Sequence, residues 1–488
     1  MSQCVRVAEK AFDYRVPLIV VGAGAAGLVA ALSAHEAGEE VIVLERDPLP
    51  RGSTALSAGL IPAAATRWQS AAGISDTPQL FASDILRKAH DEPDAIIVDH
   101  VARLAGPTIE WLADRHGLNF SVIEDFSYPG HSARRMHGLA SRSGEELIDA
   151  LRAAAEACEI PVICDAHVTT LFADDTNRVL GLAFARPDGT LEEIGCDRLI
   201  LACNGYGGNR TLVAQHIPSL SEATYFGHAG NQGDALLWGQ SLGAATRHLG
   251  GHQGHGSVAH PAGILISWAT ITEGGFQVNI RGERFSNEAK GYSEQAAEVL
   301  KQPDGLAWTV FDARIAAITR QFEDFRRAEA MGAVVTAESP AHLAARINLP
   351  EDRFVSTFGK VEACKRGEAS DAFDRDFSGS QPLSAPLCAV RVTGALFHTQ
   401  GGLVIDTSAR VLNPDGFALP NLYAAGGAAC GVSGNDASGY LSGNGLLTAV
   451  TLGRTAGATR ARAISAEPPA GAGASIDSCN VAIQSGST

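Results

Sequence analysis

Long apolar runs, paired cysteines and an excess of positive charge are all missing from this chain of 488 residues. No stretch of about 18 consecutive apolar residues occurs, so no membrane span is expected. Nine cysteines stand singly, at Cys4, Cys158, Cys164, Cys196, Cys203, Cys364, Cys388, Cys430 and Cys479, and no pair has CxxC spacing. Iron–sulfur, zinc-ribbon and c-type haem arrangements therefore lack support, and an odd, unpatterned set fits reduced thiols. Lys and Arg total 38 against 54 Asp and Glu, a formal charge of −16. That balance argues against nucleic acid or an anionic membrane as a partner. The opening segment MSQCVRVAEKAFDYRVP has no signal-peptide architecture, and a cytoplasmic location is expected. With 45% apolar and 19% charged residues, the chain has ordinary globular composition and room for two or three domains.

The segment Pro17–Asp47, PLIVVGAGAAGLVAALSAHEAGEEVIVLERD, carries the first chemistry. Leu18–Val21 suits a buried parallel strand, a glycine turn and an alanine-rich helix follow, and Val41–Leu44 reads as a second strand. This is a βαβ unit. Gly22, Gly24 and Gly27 form G-x-G-x-x-G around Ala25 and Ala26. The first glycine permits the turn, the second lets backbone approach a pyrophosphate, and the third lets helix pack on strand. Glu45, followed by Arg46, stands 23 residues after Gly22, where an acid binds the hydroxyls of an adenosine ribose. A ligand-free glycine turn is the competing reading.

Strand character returns at Asp197–Gly208 and at Leu419–Gly427, so the nucleotide-binding core is expected to be assembled from both ends of the chain. The expected division is an α/β, Rossmann-like FAD-binding domain over 1–235 and 380–462, with an inserted α+β substrate-capping domain over 236–379. The Gly/Ser/Ala-rich tail from 463 to 488 is expected to be disordered.

Three further segments complete a pattern: RGSTALSAG (Arg51–Gly59), NQGDAL (Asn231–Leu236), and the run from HTQGG to LYAAGGAACGVSGNDASGYLSGNGLLTAVTLGR. Together they resemble the fumarate reductase and succinate dehydrogenase flavoprotein superfamily, which also holds the 3-ketosteroid dehydrogenases, from about Pro17 to Gly457. The resemblance implies FAD. Gly22–Gly27 and Glu45 would hold its ADP half, Ser53 and Thr54 would lie near the flavin, Val168 by the adenine, and Asp234 by the ribityl or ribose region. Gly427 falls where many relatives have a glutamate, so one FAD contact is missing or replaced. Gly445 and Leu446 would present helix N-terminal amides to the flavin pyrimidine, where donors stabilise the anionic reduced ring. No histidine stands in the loop that carries covalent flavin in succinate dehydrogenases, so the FAD is expected to be non-covalent.

On the substrate side, the resemblance gives His398 of HTQGG a substrate-binding role, with a structural histidine as the alternative. The two arginines that clamp a dicarboxylate in fumarate reductases are exchanged. Eight residues after Arg284 of RFSNE stands Tyr292, and Tyr440 of YLSGN stands where the other arginine is expected. A guanidinium suits a carboxylate, whereas a phenol suits a ketone oxygen or an enolate; ordinary amphipathic tyrosines remain the other reading. One of His252, His255 and His260 is expected near the substrate, and their glycine spacing without carboxylates makes a poor metal site. Arg134, Arg135 and His137 would reach an acidic group on the substrate, or be solvated, or touch the FAD phosphates.

These residues imply desaturation of a cyclic ketone next to its carbonyl, either a small cyclohexanone type or a 3-ketosteroid. Tyr292 is the expected base, with His398 or a tyrosine polarising the carbonyl. A separate electron acceptor (quinone, carrier protein or oxygen) is implied. The alternative is an ene-reductase acting on an enone or enoate.

Overall fold

The computed structural model describes residues 3–124 and 127–459; the tail expected to be disordered lies outside the described residues. A nine-stranded sheet forms the first layer. Its parallel centre runs through the short strand Val162–Ile163, then Val41–Leu44, Arg15–Val21 and the end of Leu191–Leu201, to which Ala418–Ala424 adds on. Strands from residues 15–44, 191–201 and 418–424 thus meet in one sheet, and the core is built from both ends of the chain. Val41–Leu44 is buried at every position, as a strand covered on both faces must be.

The helix Ala25–Glu36 is buried from Ala25 to Ala34, so it is apolar all round rather than amphipathic. It packs against the C-terminal helix Asn444–Ala458. A Cβ at Gly457 would lie 2.1 Å from the Ala30 carbonyl oxygen, so that crossing needs a residue without a side chain.

A second, seven-stranded sheet is mostly antiparallel. Its centre is the long strand Leu387–Thr399, which pairs with His252–Ala259, Leu306–Asp312, Val334–Ala337 and Thr224–Tyr225. Two of these strands fall outside the expected insertion at 236–379: sequence composition changes there, but strand pairing reaches beyond the composition change. The helix Tyr292–Leu300 lies on this sheet, seated where a Cβ at Gly394 would come within 2.2 Å of the Ala296 carbonyl. Among the described residues no helix is long and apolar enough to cross a membrane.

Candidate active site

One cavity of about 420 Å³ runs between the two sheets. At one end the strand Arg15–Val21 passes into the glycine turn, with Gly22 at φ 101°. A Cβ at Gly27 would sit 1.8 Å from the Gly22 carbonyl oxygen, so the third glycine is required for the helix to meet the strand. Gly27 serves this packing, while Gly22, Gly24, Ala25 and Ala26 line the cavity. Glu45 accepts from the Ala23 amide at 2.8 Å and the Asp47 amide at 3.0 Å, which fixes its carboxylate at the cavity wall. Arg46 lies over Gly230, where a Cβ would meet its guanidinium. Thr54 accepts from the Ala25 amide at 3.0 Å, and Ser53 accepts from the His228 amide and the Asn231 side chain. Val168 and Asp234 line the same end.

Gly427 has a structural reason. A Cβ there would lie 2.2 Å from Asn204 Oδ1, so a glutamate is excluded and Asn204, itself a lining residue, stands in its space. The helix Asn444–Ala458 opens on the cavity with Gly443 at φ 85°, no side-chain cap and no acidic residue in its first turn. Its first turn and positive end face inward at Gly445 and Leu446. Two uncapped helix starts, a fixed acid and a glycine cradle fit the two ends of FAD.

The other end is aromatic. Tyr292 opens its helix, and its ring stacks on His255 at 4.7 Å and meets Trp268, Tyr440 and Tyr128 at 6.1, 6.0 and 6.3 Å. His398 lies edge-on to Tyr440 at 5.6 Å. The structure thus brings Tyr292, Tyr440 and His398 to one wall. A break in strand register between His255 and Val258 marks where a bulge re-aims the strand at His255. The Tyr292 and Tyr440 hydroxyls lie next to each other, with Ser442 beside Tyr292 and the backbone of Gly443 and Gly445 beside Tyr440.

Burial pushes the Tyr292 phenol well above its ordinary value, and the neighbouring Tyr440 phenol adds to this while Ser442 opposes it. Burial raises Tyr440 too, against the opposing backbone bonds and the Tyr292 hydroxyl. Of the two, Tyr440 has the better support for a negative charge. Burial pushes His398 down to about 4 and His255 down to about 3, so both are neutral near pH 7.

Of the three expected histidines, His255 lines the cavity. His252 bonds the Gly250 carbonyl at 2.8 Å and lines a second cavity with His216 and Asp436, while His260 is exposed. Arg134, Arg135 and His137 do not serve the cavity. Arg135 is buried between Asp76 and Asp84 at 2.9 and 2.6 Å, His137 bonds Thr66 at 2.8 Å, and Arg134 is exposed. The reason is electrostatic: a buried guanidinium needs carboxylates, and those lie far away in sequence. Asn204, Tyr128, Trp268, Gln400 and Ser442 line the cavity without having been singled out from sequence. A hydroxyl two residues after Tyr440 was the available signal for Ser442.

Residues 18–446 match the family described as FAD binding domain. The chain belongs to that family and is an FAD-dependent oxidoreductase acting on CH–CH groups. It is similar to a probable fumarate reductase of Shewanella frigidimarina, with 29% identity over 91% of this chain and 74% of that one. It is also similar to 4-oxocyclohexanecarboxylate 2-dehydrogenase of Sinomonas cyclohexanicum, with 26% identity over 91% of this chain and 92% of that one. Among solved structures, a flavocytochrome c3 fumarate reductase in an open conformation superposes with TM-score 0.77 at 27% identity, over 92% of this chain and 78% of that one. The fold is shared with a 3-ketosteroid-Δ4-(5α)-dehydrogenase of Rhodococcus jostii RHA1, with TM-score 0.73 and 24% identity over 94% of this chain and all of that one.

Proposed function

We propose that the protein desaturates a cyclic ketone between the carbons α and β to its carbonyl. The observation that carries this reading is the phenol pair, Tyr292 and Tyr440, whose rings meet at 6.0 Å on the cavity wall where fumarate reductases place arginines. Arg46 sits at the ribose end, Arg327 is an exposed partner of Asp324, and Arg142 lies beside Tyr128, so among the described residues no pair of guanidiniums faces the phenols. The relative that acts on 4-oxocyclohexanecarboxylate, a small cyclic ketone, supports the same class.

With Tyr440 ionised beside Gly443 and Gly445 at the start of the C-terminal helix, Tyr292 takes the α-proton as it passes its own to the Tyr440 phenolate, and both phenols end neutral. Before the transfer the helix N-terminus stabilises that phenolate. His398, neutral, polarises the carbonyl oxygen, so that the developing enolate is stabilised. Bound FAD supplies the two-electron acceptor for the β-hydrogen, which leaves as hydride. Ser53 and Thr54 stand where a covalent attachment would need a histidine, and the FAD is non-covalent in this reading. The acceptor that restores it is a quinone, a carrier protein or oxygen, and the place of action is the cytoplasm.

A second reading, reduction of an activated C=C in an enone or enoate, is favoured by one observation. Both phenols are pushed up by burial and carry protons at pH 7, ready to be donated. Anaerobic mixing with saturated cyclohexanones, 4-oxocyclohexanecarboxylate and 3-ketosteroids separates the two. Flavin bleaching by a ketone supports desaturation. No bleaching by any ketone, with reoxidation of reduced protein by an enone or enoate, establishes the reductase.

A further inference from the structure

We propose that Gln400, Ser433 and Asn444 are positioning residues that fix His398 in the tautomer with its proton on Nε2, making it a hydrogen-bond donor to the substrate oxygen. The inference deepens the ketone reading and rests on it only for the identity of that oxygen.

The three side chains form a buried line behind the imidazole, at 3%, 1% and 0% exposure respectively. Asn444 Nδ2 donates to Ser433 Oγ at 2.9 Å, Ser433 Oγ donates to Gln400 Oε1 at 2.7 Å, and Gln400 Nε2 lies 2.9 Å from His398 Nδ1. Gln400 is pinned by its own backbone, which donates to the Gly251 carbonyl and accepts from the Gly431 amide, both at 2.8 Å. A hydroxyl has one hydrogen. Since Ser433 accepts from Asn444, its hydrogen goes to Gln400 Oε1, and Gln400 must turn its NH₂ to the ring. Nδ1 then accepts, and the neutral imidazole carries its proton on Nε2.

Two contacts bear on the opposite polarity. The Thr399 carbonyl lies 3.3 Å from Nδ1, a longer contact than the glutamine's. Reversing every donor in the line would turn the Asn444 NH₂ to the place where its Oδ1 now lies buried without a donor. A buried amide donor left without an acceptor is the rarer and costlier arrangement. The Nε2 edge borders the start of the C-terminal helix, where a Cβ at Gly445 would fall 2.6 Å from it, and His398 lines the cavity. Burial holds the ring at a pKa of about 4, so the donor is neutral and keeps its proton. With the proton on Nδ1 instead, a lone pair would face the substrate oxygen and repel the enolate.

The test uses FAD-loaded protein carrying 15N-imidazole histidine, whose NMR correlations distinguish the two tautomers; His398→Gln assigns the signal. The expected result is an Nε2–H resonance in the wild type. In Gln400→Glu a carboxylate beside Nδ1 demands a proton there, so the signal converts to Nδ1–H and its titration moves to higher pH. Flavin bleaching by ketone in that variant falls about 10²–10³-fold at unchanged FAD content. Ser433→Ala, which removes the link that orients Gln400, gives a mixture of tautomers and serves if the glutamate variant does not fold. An Nδ1–H signal in the wild type, or variants that leave the tautomer unmoved, would overturn the proposal. The tautomer is read without any ketone, so failure of the ketone reading shows in the bleaching assay alone.

Discussion

Replacing Tyr292 with phenylalanine isolates the proton-transfer role from packing. The ring would keep its stack on His255 at 4.7 Å and its edge contacts with Trp268 and Tyr440. Only the hydroxyl, which lies beside Ser442 and Tyr440, is lost. The stability cost is at most that of one or two buried hydrogen bonds, about 1–3 kcal/mol. Fold and FAD content should therefore survive. The rate of flavin reduction should fall about 10²–10⁴-fold, or about 3–5 kcal/mol of barrier. Stopped-flow bleaching under anaerobic conditions measures this directly. The pH dependence adds a sign. Both phenols are pushed up, and a base acts only when ionised, so the wild-type rate should rise with pH from neutral into the alkaline range. The phenylalanine variant should lose that rise. In the reductase direction the sign inverts, with the rate falling as the phenols ionise. A variant that keeps the wild-type rate at equal FAD occupancy refutes the assignment, whichever direction the enzyme runs.

Glu45→Ala removes a carboxylate that accepts two amides at 2.8 and 3.0 Å and faces the ribose; FAD affinity should fall about 10–100-fold by equilibrium dialysis. Gly27→Ala places a methyl 1.8 Å from the Gly22 carbonyl oxygen, so the variant should purify without bound flavin or fail to fold, seen as loss of yellow colour. Four buried histidines, His131, His137, His255 and His398, are pushed down by burial to about 3, 4, 3 and 4. The unfolded chain protonates them near pH 6.5 while the folded chain does not, so stability is full above that pH and drains below it. The slope is about 1.4 kcal/mol per pH unit for each, or about 5.5 for all four, which predicts unfolding by about pH 5 in a circular dichroism titration. Retention of structure at pH 4 would contradict the buried, neutral state of these rings.

Short-range sequence determined the nucleotide end. The strand, glycine turn, helix and Glu45 fall within one stretch of the chain, and Gly27 answers a contact formed inside it, against Gly22, whereas Gly22 and Gly24 face Ala202 and Thr54 from outside it. The parallel sheet assembled from both ends was legible because buried strands read as unbroken apolar runs. The tyrosines at 292 and 440 stood out as exchanges of residue type at motif positions, and folding brings them into contact. What sequence alone left open was which polar groups neutralise one another. Arg135 meets Asp76 and Asp84 across 59 and 51 residues, and a loop rich in arginine reads the same whether its charge is buried or free. The support behind His398 is likewise made of residues from two separate segments, Gln400 beside it and Ser433 and Asn444 beyond. Burial and direction of a side chain depend on what packs against it, and the neighbours that orient His398 and hold Arg135 away from the cavity are chosen by tertiary structure alone.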